Sequence, residues 1–90
     1  MTIWKYQLDM NKVTGEQTFM MPMRAEILTV QLQSGIPFIW ALVDPDSELI
    51  PRHVFVAGTG TLCSPCGGCR YVGTFQTVVA NVNEVFHVFG

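Results

Sequence analysis

Apolar and polar side chains alternate along much of this chain in short stretches parted by turn-forming residues. That two-residue period is the signature of a β-strand with one face buried. Ile3 to Leu8 sets Trp4, Tyr6 and Leu8 on one face and Ile3, Lys5 and Gln7 on the other. Asp9 to Gly15 is polar and reads as a loop, and Gln17 to Met21 as a second strand. Pro22 stops that strand, because proline has no N–H to give a sheet ladder. Ile27 to Gln33 alternates cleanly, with Leu28, Val30 and Leu32 facing one way and Ile27, Thr29, Gln31 and Gln33 the other. Ser34-Gly35 joins it to Ile36 to Val43, which is apolar on both faces, so the pair predicts a hairpin whose second strand is central. Asp44-Pro45-Asp46-Ser47 ends that strand with turn chemistry.

Arg52 to Ala57, Tyr71 to Val79 and Val85 to Phe89 supply three more strands, and helical periodicity is weak throughout. The expectation is an all-β fold: a compact small sandwich or partly open barrel of about seven short antiparallel strands. Residues 1–90 make a single domain with a Cys-rich loop at 61–70. Hydrophobic residues are 49% and charged residues only 13%, more apolar surface than so small a domain buries alone. A homo-oligomer is therefore expected.

Net charge is −2, and the five basic residues, Lys5, Lys12, Arg24, Arg52 and Arg70, are scattered. Non-specific nucleic-acid binding needs clustered cations that displace counterions, and is not expected. A small anionic ligand held by one or two arginines is compatible with this balance. No run approaches the ~20 apolar residues of a membrane span, so no membrane partner is expected. Met1 to Lys5 lacks the apolar core of a signal peptide, and three clustered cysteines make a poor disulfide framework. Cytoplasm is the expected compartment.

Cys63-Ser64-Pro65-Cys66-Gly67-Gly68-Cys69 carries every cysteine in the chain. Its Gly and Pro let three thiolates turn around a point, three quarters of a tetrahedral site. Zinc could take Cys63, Cys66 and Cys69, with His53 or His87 as fourth ligand. An iron–sulfur cluster lacks its fourth cysteine. The third reading, a hairpin loop that carries thiols, is favoured, because a second Cys-x-x-Cys pair is absent. No cofactor is required. Asp44, Asp46 and Glu48 resemble the start of a calcium loop without its glycine and distal glutamate, and read as a turn.

The chain has no Gly-x-Ser-x-Gly elbow, no His-Glu-x-x-His and no phosphate-binding Gly-x-x-x-x-Gly-Lys. With no base and orienting partner visible, it is not expected to be an enzyme. Arg52, Tyr71, Thr74, Gln76 and His87 interrupt otherwise apolar strands. Such residues either face water, the commoner case, or line a pocket, where Trp4, Trp40 and Phe75 could stack on a ring. Gly58-Thr59-Gly60 could offer backbone N–H groups to an anion, though such a tripeptide more often marks a strand end.

Taken together, several runs resemble a family of small bacteriophage and prophage proteins carried as a domain of unknown function. They are Ile3-Trp4-Lys5-Tyr6, Met21-Pro22 with Ala25-Glu26-Ile27-Leu28, Ile39-Trp40-Ala41-Leu42-Val43-Asp44-Pro45, Gly58-Thr59-Gly60, Gly73-Thr74-Phe75 and Val85-Phe86-His87-Val88-Phe89. The resemblance covers nearly the whole chain, does not include the cysteines and carries over no catalytic residue. It implies a phage accessory protein that acts by binding in the host cytoplasm. The expected ligand is small and anionic, such as a host immune-signalling nucleotide. Arg52 and Arg70 would neutralise phosphate, Tyr71 or Trp40 would stack on a base, and Thr59 and His87 would donate hydrogen bonds. The alternatives are a protein–protein inhibitor of a host defence enzyme and a small zinc-binding interaction module.

Overall fold

The computed structural model describes residues 1–12, 15–64 and 67–90. Strands β1 (Thr2–Gln7), β2 (Gly15–Pro22), β3 (Glu26–Gln33), β4 (Ile36–Val43), β5 (Leu49–Gly58), β6 (Tyr71–Val79) and β7 (Val82–Phe89) pair only antiparallel. They form a three-stranded sheet, β1-β4-β3, and a four-stranded sheet, β2-β5-β7-β6. The two do not close into a barrel, and the architecture is sandwich-like. A short 3-10 turn, Met10–Lys12, lies between β1 and β2.

Strand β4 is central, as its two apolar faces require. Pro37, Ile39, Ala41 and Val43 point into the core, while Phe38, Trp40 and Leu42 point outward and are half-buried. The β3–β4 turn places Ser34 at φ 53° and Gly35 at φ 77°, the left-handed pair whose twist matches a two-residue hairpin. Asp44 makes the expected turn after β4. Its carboxylate accepts from the Asp46 N–H at 3.1 Å and its carbonyl from the Ser47 N–H at 3.0 Å.

The alternation read for β3 needs a correction. Leu28 and Leu32 are each 42% exposed, whereas Ile27 and Val30 are buried. A β-bulge between Ile27 and Thr29 is the cause. One extra residue resets the inward–outward phase, so Ile27 and Val30 both reach the core although three positions separate them. A second bulge lies between Tyr71 and Gly73 in β6. There β6 approaches β3 so closely that a Cβ at Gly73 would stand 3.1 Å from Val30 Cγ1. A side chain at that position would require Val30 to shift by a few tenths of an ångström.

The core between the sheets comprises Leu8, Met21, Ile27, Val30, Ile39, Ala41, Val43, Val54, Val56, Phe75, Phe86 and Val88, with Ala25 at its edge. Phe75 stacks on Phe86 with centroids 5.3 Å apart. Phe75 is therefore core and offers no ring to a ligand.

At the opposite seam Tyr6 meets Phe19 edge-on at 5.8 Å. Its hydroxyl is buried with no hydrogen-bond partner among the described residues, and burial pushes its pKa above the usual tyrosine value. Replacing a buried orphan hydroxyl by hydrogen removes a desolvation cost. Tyr6→Phe should therefore be neutral or stabilise the fold by about 1 kcal/mol. A second consequence is linked to pH. Above the unfolded value near 10 the unfolded chain releases the phenol proton before the folded one does, so stability falls as pH rises. The variant should lose less stability between pH 9 and 11 than the parent, roughly in the window where free tyrosine titrates. Urea titrations at those pH values check both points.

Candidate functional site

His87 faces outward from the four-stranded sheet because its neighbours in β7, Phe86 and Val88, are both drawn into the core. It pairs across the ladder with Thr74 of β6 and Ala57 of β5. The β6 bulge shifts Tyr71 so that its ring comes within 6.0 Å of the imidazole, centroid to centroid. Tyr71 OH lies 2.9 Å from His87 Nδ1 and Thr74 Oγ1 lies 3.3 Å from it. Tyr71 and Thr74 also hydrogen-bond to each other through their hydroxyls. On the far side of the ring, Thr59 Oγ1 approaches His87 Nε2 at 2.6 Å.

Thr59 is held there by local backbone bonding. Its N–H donates to the Val85 carbonyl at 3.0 Å, and Thr61 turns back onto the Gly58 carbonyl through both its N–H and its hydroxyl. Gly58-Thr59-Gly60 thus ends β5, as read, and also starts the wall of a hollow. Both imidazole nitrogens face hydroxyls, which either donate or accept, so the ring is positioned in any tautomer. The hollow, about 250 Å³, has mostly apolar walls and is lined by Ala57, Thr59, Cys63, Tyr71, His87 and Phe89 among others.

The same β5–β6 loop borders a second hollow of about 370 Å³, lined by Glu16, Arg52, His53, Gly67, Gly68, Cys69 and Gly90. It carries charged side chains on a largely apolar lining. His53 Nδ1 lies 2.9 Å from Glu16 Oε1 and 3.1 Å from Thr18 Oγ1, with both members of the ion pair more than half exposed. Residues of the β5–β6 loop line both hollows, Cys63 the first and Gly67, Gly68 and Cys69 the second, and no lining residue is common to the two.

The residues singled out from the sequence are distributed as follows. Thr59, Tyr71 and His87 converge on the first hollow, and Arg52 lines the second. Arg52 already donates through Nη1 to the Ala25 carbonyl at 2.7 Å. Arg70 sits between the hollows along the chain but sends Nη2 to the Ile27 carbonyl at 3.0 Å, with Glu26 Oε1 at 3.8 Å. Both arginines thus serve carbonyls of the β2–β3 corner and the β3 bulge. Trp40 lies apart, on the outer face of the three-stranded sheet. There the Lys5 ammonium stands 5.7 Å from its ring and 4.6 Å from that of Phe38.

Of the three cysteines, Cys66 lies outside the described residues. Cys63 is a free, exposed thiol on the first hollow beside His87, and Cys69 is disulfide-bonded on the second beside His53. A sulfur in a disulfide has no thiolate to offer a metal, so a zinc site on this run would need the reduced chain. Among the described residues no group of three or more His, Cys, Asp or Glu stands together as a metal site would.

Sequence reading passed over Glu16 and Thr18. The signal was the alternation Glu16, Thr18, Met20, which continues past the position where the strand was begun, at Gln17.

A seven-stranded antiparallel, sandwich-like fold carrying an imidazole–hydroxyl cluster at one hollow and charged side chains at another defines a small all-β domain with two surface hollows. The chain belongs to the family DUF7352, a domain of unknown function, whose model matches residues 1–90. Among curated proteins and solved structures, nothing matches the chain.

Proposed function

We propose that this protein is a non-enzymatic binding domain that sequesters a small anionic ligand, a nucleotide, in the two hollows under the β5–β6 loop. The observation that carries this reading is the pairing of two unlike hollows under one loop. One has the rings of Tyr71, His87 and Phe89, and the other has Arg52 and His53 with the glycine backbone of Gly67 and Gly68. A base has a flat face that stacks on aromatic side chains, and a phosphate seeks a guanidinium and backbone N–H groups. Thr59 and His87 hydrogen-bond the base edge by exchanging partners with each other. Small-ligand sites span roughly 300–1,000 Å³, and the hollow beside Arg52, about 370 Å³, lies in that range while the one beside His87, about 250 Å³, lies just below it.

The resemblance to small phage proteins supports reading this as an activity in the host cytoplasm, where the protein would act as a homo-oligomer withholding an immune-signalling nucleotide. A protein–protein inhibitor is the second reading, favoured by one feature. The outward row of β4, Ile36, Phe38, Trp40 and Leu42, is an incompletely buried apolar stripe on the outer face of the three-stranded sheet.

Native mass spectrometry of protein purified without chelator from signal-producing cells should show an oligomer carrying a nucleotide mass. Tyr71→Ala should weaken that nucleotide about 5- to 100-fold, the worth of one base stack. Trp40→Phe, on the other sheet, should leave affinity unchanged. An oligomer with no retained mass would shift the reading to a protein target, and zinc at one per subunit would revive the cysteine site.

A further inference from the structure

The nucleotide reading above leaves the ligand's charge open, and on that reading the hollow lined by Glu16, Arg52 and His53 sets it. Its charged and titratable side chains, among the described residues, are Arg52, His53 and Glu16, and Cys69 does not titrate in its disulfide. Arg52 has one nitrogen committed to the Ala25 carbonyl. Glu16 Oε1 holds His53 Nδ1 at 2.9 Å, so the imidazole faces a carboxylate inside the hollow itself. Arg70, the nearest further cation along the chain, already meets Glu26 at 3.8 Å and the Ile27 carbonyl at 3.0 Å. Even with His53 protonated, these lining side chains therefore carry an excess of only one positive charge.

We infer that Glu16 limits the ligand to about one negative charge in this hollow, which selects a nucleoside phosphodiester over a nucleoside triphosphate. A diester phosphate carries a single charge and no titratable oxygen. A triphosphate would bring several charges against one guanidinium and a facing carboxylate. Glu16 thus acts as a specificity residue by repulsion, the way an interface rejects a wrong partner while gaining little for the right one. At a solvent-exposed position, each additional like charge held about 6 Å from the carboxylate costs on the order of three- to ten-fold in affinity.

The test is calorimetric titration of the full chain with 3′,5′-cyclic AMP, ATP, 3′,5′-cyclic GMP and GTP. For at least one base, the cyclic diester should bind ten-fold or more tighter than the triphosphate. Glu16→Gln, at a side chain more than half exposed, should fold normally, raise triphosphate affinity and close most of the gap. Glu16→Asp should keep the gap, and salt should narrow it. If the triphosphate binds as tightly as the diester, or Glu16→Gln leaves the ratio unchanged, the charge limit falls while the nucleotide reading stands. If none of the four binds, both fall.

Discussion

Phe86→Ala should remove about 3–5 kcal/mol of stability, the range for truncating a buried aromatic ring. Phe86 is 2% exposed and its ring lies nearly parallel to Phe75, interplanar angle 28°. It belongs to β7, which pairs with both β5 and β6, so the cavity would open where the four-stranded sheet is held to the core. A domain of 90 residues has a total stability of roughly 5–13 kcal/mol. The variant would therefore lose a large share of that stability, and His87, next along β7, would be held less firmly. Urea denaturation followed by tryptophan fluorescence measures the loss. Phe86→Leu, which keeps most of the volume, should cost less than half as much. A loss under 1 kcal/mol for the alanine variant would mean that the two sheets are held together by something other than this stack.

Gln17→Leu is expected to cost about 1–3 kcal/mol, the net worth of two hydrogen bonds, although the two side chains are similar in size. Gln17 is the sole buried polar residue among those described, at 6% exposure. Its amide is bonded at both ends to one residue across the chain. Asp9 N–H donates to Oε1 at 2.8 Å, and Nε2 donates to the Asp9 carbonyl at 3.1 Å. This imitates a rung of sheet and fixes the turn after β1, which in turn seats Leu8 in the core. Leucine fills the space but leaves the Asp9 N–H and carbonyl without these two half-buried bonds. Amide hydrogen exchange should report the loss locally, with Asp9 losing protection before the strands of the four-stranded sheet. Uniform loss across the protein would show that the β1 turn and the core unfold as one unit.

Much of this architecture was legible along the chain, because strand formation and hairpin turns are local. Ser34-Gly35 and the two-faced apolar run after it specify the β3–β4 hairpin, and β4 takes the central place that its composition demands. The strand at Val85 to Phe89 was read short. Ala80 and Asn81, both at positive φ, make a two-residue turn that starts β7 at Val82, and Ala-Asn has no glycine to announce it. The β3 phase was misread for a similar reason. A bulge is one residue inserted against a partner strand, and only the partner reveals it.

The candidate site was half visible. Thr59, Tyr71 and His87 stood out as polar interruptions in apolar surroundings, and they meet although Thr59 and His87 are 28 residues apart. Arg52 and Arg70 drew attention as cations, yet each is partly committed to a backbone carbonyl. An Arg52→Ala variant must therefore be read with a stability measurement beside the binding one.

By itself the sequence determined that the chain makes short antiparallel strands around a core, since a period of two with buried apolar faces has no other stable outcome at this length. Only the tertiary structure decided how those strands divide into two sheets, which face of β3 turns inward, and which polar residues share a hollow. Those outcomes depend on bulges, on the close approach permitted at Gly73, and on hydrogen bonds between residues far apart in the chain. None of these leaves a periodic trace in the order of the amino acids.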